Sequence, residues 1–119
     1  MKKFLAIYIG LPEAREKSGW NKLDPAEQQK RQAQGMKAWG DWMATHRSAI
    51  VEAGGPLGKT KRTGPNGVTD TRNNIVGYVA INAESHQAAA ELFLKHPHFS
   101  IFPGDSVEIM ECLPLPGQG

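Results

Sequence analysis

The chain has 119 residues, of which 39% are apolar and 22% charged, and its formal net charge at neutral pH is +2. That length fits one domain, residues 1–119, and the apolar content is too high for a disordered chain. So small a net charge argues for no nucleic-acid partner, and no run approaches the ~18 apolar residues that would point to a membrane span.

The charge is unevenly distributed. Residues 1–67 carry 12 basic and 6 acidic side chains, whereas residues 68–119 carry 2 and 6. Asymmetry of this kind marks a basic ligand cleft, complementary subunit contacts, or simply two differently solvated surfaces. Cys112 is the only cysteine, which rules out an internal disulfide and fits a reducing, cytoplasmic compartment. It stands in an alternating apolar stretch and is expected to be packed rather than reactive. The apolar run after Met1-Lys2-Lys3 stops at Pro12-Glu13 without a small-residue cleavage site, so no secretory leader is expected.

Phe4 to Gly10 reads as a buried strand, followed by a polar loop over residues 11–23 from which Trp20 folds back onto the domain. Asp24-Pro25-Ala26-Glu27 is a helix start: an acidic cap, a proline at the first helical position and a capping-box glutamate. Met36, Trp39, Trp42, Met43 and Ile50 then gather on one apolar face, and Gly54-Gly55-Pro56 is expected to end the helix. The interval 25–53 is long for a domain of this size, so a break near Gly40 or Thr45-His46 is anticipated.

Residues 57–64 form a basic extended segment, and Pro65-Asn66-Gly67 a turn from which Val68 to Thr71 can pair back. Ile75 to Ala83 is the strongest strand pattern, with Gly77 marking a bulge or a close overhead contact. Ser85 caps a second helix that places Ala88, Ala89, Leu92 and Phe93 on one face, with Pro97 as its stop. Ser106 to Leu113 is the last strand, with Val107 and Ile109 on one side and Glu108 on the other.

The order β-α-β-β-α-β predicts an α+β fold of the ferredoxin-like kind: a four-stranded antiparallel sheet with both helices on one face. A single helical layer leaves the other sheet face open. Burial of that face against a second copy is the expected remedy, since a chain of this size buries only about two-thirds of its unfolded surface.

Few residues carry a chemical signal. Ala53-Gly54-Gly55-Pro56-Leu57-Gly58-Lys59-Thr60 approximates a phosphate loop, but that device needs a strand before it and a helix after it, and here the order is reversed. His96-Pro97-His98-Phe99 is the most distinctive feature. It reads as a helix end in which His96 meets the last carbonyls, as a pocket histidine, or as a chelating pair, and no further ligand cluster stands beside it. Trp39 and Trp42 are core or pocket wall, and Tyr8 and Tyr78 can each put a phenol at the end of an apolar cavity. Lys59, Lys61, Arg62 and Arg72 flank the hairpin as a solvated arm or as the receiver of an anionic ligand, with Asp70 the one carboxylate among them.

Taken in order, Gly55-Pro56-Leu57, Ile75-Val76-Gly77-Tyr78, Ala83-Glu84-Ser85, His96-Pro97-His98-Phe99 and Ser106-Val107-Glu108-Ile109 resemble the YCII-related family of dimeric α+β barrel proteins. The resemblance implies a ferredoxin-like subunit whose sheet packs on that of its dimer mate, with a ligand cleft beside the helices and no cofactor. Smaller members of that family have a proposed His–Asp pair, with the acid in an Asp-Pro motif after the second helix. Here that position reads His96-Pro97, so the acid is missing. Two functions follow as expectations. One is a cofactor-free small-molecule enzyme, lyase- or isomerase-like, with His96 as proton carrier. The other is a non-catalytic ligand-binding or regulatory dimer, with Tyr8, Trp42 and Tyr78 as pocket walls and Lys59 as a further ligand-binding residue.

Overall fold

The computed structural model describes residues 1–117. Four strands form one antiparallel sheet: β1 (Lys2–Ile9), β2 (Ile50–Pro56), β5 (Ile75–Ala83) and β6 (Ser106–Glu111), in the order β2-β5-β1-β6. Between β2 and β5, strands β3 (Thr60–Gly64) and β4 (Gly67–Thr71) pair only with each other, as a separate ribbon. The helices are α1 (Pro12–Lys17), α2 (Pro25–Thr45), α3 (His86–Glu91) and the single-turn α4 (Pro97–Ser100). This is the ferredoxin-like α+β arrangement predicted from the element order.

The alternation of β1 and β5 builds the core. Phe4 opposes Ile81, Ala6 opposes Val79 and Tyr8 opposes Gly77, and all of these side chains turn to the helical face. Trp39 and Trp42 from α2, with Ala89 of α3 and Leu92 and Phe93 just beyond it, close over them. Between Tyr8 and Ile9 the register slips by one residue, so Val76 is extra on β5 and Gly77 is drawn in close. A Cβ on Gly77 would lie 3.1 Å from the Gly55 carbonyl oxygen and 3.3 Å from the Tyr8 ring. The bulge expected from that glycine is therefore present.

The helix starts behave as their sequences dictate. Asp24 Oδ1 accepts the Glu27 backbone N–H at 2.8 Å, and Ser85 Oγ accepts that of Ala88 at 3.1 Å. Between Ala26 and Gln34 only Gln28 is even half-buried, so the first half of α2 overhangs the sheet. Trp20 folds back as predicted, 6% exposed, although residues 11–23 contain α1 and a short 3₁₀ turn rather than a plain loop.

Three expectations are corrected. The first helix breaks at Thr45, where the anticipated break at Thr45-His46 falls, with the His46 N–H bonded to the Trp42 carbonyl at 3.0 Å; what is overturned is its end at Gly54-Gly55-Pro56, because residues 50–56 are strand. Gly54 belongs to that strand. It has φ +63° and lies under the Tyr78 backbone, where a Cβ would collide with the Tyr78 carbonyl. β2 is therefore the edge strand that pairs with β5, and the basic segment is an insertion between them. Second, the helix after Ser85 ends at Glu91, and Pro97 opens α4 instead of closing α3. Third, Cys112 is exposed, just past the last residue of β6.

Candidate functional site

The β-bulge, the overhanging end of α2 and the turn after α4 meet around a cleft of about 350 Å³. Tyr8 and Gly77 come from the sheet, Met36 and Trp39 from α2, and His98 and Phe102 from the segment that starts with α4. Ala53, Gly55 and Pro56 of β2, with Val76 and Tyr78, complete the rim. The walls are aromatic: the Tyr8 and Trp39 rings lie 4.8 Å apart, and those of Trp39 and Phe102 6.1 Å apart. Gly35 lets α2 approach Phe102, whose ring would meet a Cβ there at 2.5 Å.

His96 sits behind this wall, fully buried. It is the N-cap of α4, and its Nδ1 accepts the His98 backbone N–H at 3.0 Å. An Nδ1 used as acceptor assigns the ring proton to Nε2, which faces the Tyr8 hydroxyl at 3.3 Å. The Nε2–H thus donates to Tyr8 Oη, and the phenolic proton of Tyr8 is left for another acceptor. Both ring nitrogens of His96 are occupied, which removes it from any chelating pair. The helix-end reading also reverses sign, because His96 caps the start of a helix rather than meeting the carbonyls at an end.

Burial holds these groups neutral. It lowers the His96 pKa to about 4, with the charges of His98 and His46 adding to the effect, and it raises that of Tyr8. His98 is also pushed down by burial, against hydrogen bonding to the Ile9 carbonyl, which its Nε2–H reaches at 2.8 Å. Gly104 packs directly on the His98 imidazole and leaves no room for a Cβ. At neutral pH the site therefore holds a protonated phenol and two neutral imidazoles.

The sequence candidates separate. Tyr8 and Tyr78 line the cleft. The Tyr78 hydroxyl donates to Glu52 Oε1 at 2.9 Å, and that bond raises its pKa. Trp42 is not on the cleft. Its ring packs on Phe93, His96 and His46, and its indole N–H donates to the Leu92 carbonyl at 3.1 Å, which makes it core support behind the site. His96 does not line the cleft: the Tyr8 and Trp39 rings lie against it, and its hydrogen bond toward the wall goes to Tyr8. Lys59 lines a neighbouring groove of about 730 Å³ beside the ribbon, and Asp70 there pairs with Lys61 at 2.7 Å. The phosphate-loop-like stretch runs from β2 into β3, with no helix after it.

Met36 is marked in the sequence only as part of the apolar face of the first helix, and Phe102 carries no signal there. Their role depends on the overhang of α2 and on the turn through Pro103-Gly104. Among the described residues, no three His, Cys, Asp or Glu side chains are grouped to hold a metal ion, and no helix is long and apolar enough to cross a membrane.

No family model matches the chain, and no curated protein matches it in sequence. Among solved structures it is similar to 5-chloro-2-hydroxyhydroquinone dehydrochlorinase (TftG) from Burkholderia phenoliruptrix AC1100, in complex with 2,5-dihydroxybenzoquinone. The TM-score is 0.54 over 93% of each chain, at 14% sequence identity. At that identity the likeness is one of fold, and it places the chain among α+β proteins with a four-stranded antiparallel sheet.

Proposed function

We propose that the protein is a cofactor-free, YCII-related enzyme that takes a small planar ring bearing hydroxyl or carbonyl oxygens and acts on it by proton transfer, in a lyase- or isomerase-like step. The observation that carries this reading is the Tyr8–His96 pair at the wall of an aromatic cleft. His96 already donates to Tyr8 Oη, so the phenol has its own proton to offer to a substrate oxygen, and a preorganised donor of this kind stabilises a developing oxyanion. His96 is then a positioning residue. His98, a neutral imidazole on the same wall, is the proton acceptor of this reading. A cleft of about 350 Å³ lies at the small end of ligand sites, the size class of a single ring. That TftG holds 2,5-dihydroxybenzoquinone is in keeping with the class.

One observation favours a second reading, a non-catalytic ligand-binding or regulatory dimer: the lining is mostly apolar and aromatic, and His96 is sealed from it. NMR titration with hydroquinone, catechol and hydroxybenzoquinone separates the two. Saturable shifts of the Met36 methyl and Trp39 indole, with ring hydrogen of the hydroxybenzoquinone exchanging for solvent deuterium as the turnover, are expected. Shifts without turnover would favour the second reading, and a silent Met36 would remove the cleft from both.

The proposal includes a homodimer through the open sheet face. Leu5, Ile7, Ala80 and Met110 share that face by alternation with the core residues, and Met110 is 42% exposed. The chain is also flat, 55 × 43 × 19 Å, and its radius of gyration of 16.4 Å exceeds the roughly 13.5 Å of a compact domain of this length. Analytical ultracentrifugation is expected to give twice the chain mass, and Leu5→Asp with Met110→Asp to give a monomer. A monomeric parent protein would end this part of the proposal.

A further inference from the structure

The ribbon leaves the sheet after Pro56 and returns at Ile75, so its root stands on the rim of the aromatic cleft. Between root and ribbon lies the groove of about 730 Å³, with Leu57, Ile75 and Val76 as its apolar base. Val76 lines both the groove and the cleft, which makes them neighbours across one side chain.

Strand pairing sets the charge of the groove. Lys61 opposes Asp70, and Lys59 and Arg72 stand just outside the two strands, each two residues further from the turn. All four line the groove, whereas Arg62, out of phase with them, does not. Asp70 neutralises Lys61 at 2.7 Å. Lys59 and Arg72 form no ion pair among the described residues, so two cations stand uncompensated beside a groove whose base is apolar and whose walls include Thr60, Thr71 and Asn73.

We infer that this groove is an anion subsite, and that the ring compound taken by the cleft carries a carboxylate or a comparable anionic group. The ring lies in the cleft against Tyr8 and Trp39, and its anionic group points past Val76 toward Lys59 and Arg72. This inference rests on the cleft reading above and adds the charge of the ligand to it. Because both cations are on an exposed ribbon, each contributes modestly and is screened by salt.

The test compares 2,5-dihydroxybenzoate with hydroquinone, two rings that differ by one carboxylate, using calorimetry and the Met36 methyl shift. At low salt the acid is expected to bind about fivefold more tightly, and high salt should erase most of that preference. Lys59→Gln with Arg72→Gln should equalise the two probes while leaving hydroquinone binding intact. Lys30→Gln with Arg31→Gln, the same charge change on the exposed overhang of α2, should leave the preference in place. Equal binding of both probes to the parent protein, or a preference that survives the Lys59/Arg72 double substitution, overturns the subsite and leaves the cleft reading standing. If neither ring binds, the cleft reading falls and the subsite falls with it.

Discussion

Tyr8→Phe is expected to cost about 2 kcal/mol of folding stability and to lower turnover, or ring affinity where there is no turnover, by roughly one hundredfold. The phenylalanine ring fills the same space against Trp39, so the loss is not one of packing. It comes from the Nε2–H of His96, which is fully buried and among the described residues has Tyr8 Oη alone to donate to. A buried donor stripped of its partner keeps the whole desolvation penalty. Tyr78→Phe is the internal control. It deletes an exposed phenol bonded to Glu52, and its cost should stay below about 0.5 kcal/mol. Urea denaturation at one protein concentration, with an unchanged dependence on denaturant, reads both changes. If the Tyr8 and Tyr78 substitutions prove equally mild, the phenol is not the partner that holds His96, and the donor assigned to the cleft is lost.

Where local signals were undivided, the sequence led to the right elements. The Ile75–Ala83 strand has the bounds its apolar pattern predicts, and the Asp24 and Ser85 caps hold the N–H groups expected of them. The errors arose where one residue type serves opposite ends. Proline lacks the N–H that a helix interior needs, so it suits both the stop of one helix and the first position of the next, and Pro97 takes the second role. Gly54-Gly55-Pro56 contains strong helix stoppers, yet it forms the end of β2. Two register shifts against β5 break the period of two that would have marked a strand.

The site was legible only in part. Tyr8 and Tyr78 were named from their strands, but the partner that gives Tyr8 its role lies 88 residues away in sequence. No spacing rule joins them. His96 was singled out for its ring chemistry, whereas its backbone position decides what the ring does: as N-cap of α4 it must present Nδ1 to an N–H, which sends its proton to Tyr8. Trp42, placed with the ligand walls because it shares an apolar helix face with Trp39, lies one turn away, and that turn carries it past the cleft into the layer behind.

Acid should destabilise the protein through His96 from about pH 6.5 downward. Burial sets the His96 pKa at about 4 in the folded chain, against the ordinary value of 6.5 in the unfolded one. Above 6.5 the ring is neutral in both states and contributes no slope. Between 6.5 and about 4 the unfolded state binds a proton that the folded state refuses, so stability falls with falling pH, by a total on the order of 3 kcal/mol. Below that window the folded ring also protonates and its slope vanishes. His98, lowered by burial as well, adds a loss of the same sign, whereas Tyr8, pushed upward, stays neutral throughout. The urea midpoint measured from about pH 8 down to about pH 5 should therefore hold level and then decline. His96→Gln, with an amide that can still meet both Tyr8 and the His98 N–H, should remove most of that decline while leaving stability near pH 8 within reach of the parent. A parent profile that is flat between pH 7 and 5, or one that His96→Gln leaves unchanged, would mean that the ring is not held neutral. The donor geometry drawn from its tautomer would then have to be abandoned too, since a doubly protonated imidazole cannot accept the His98 N–H.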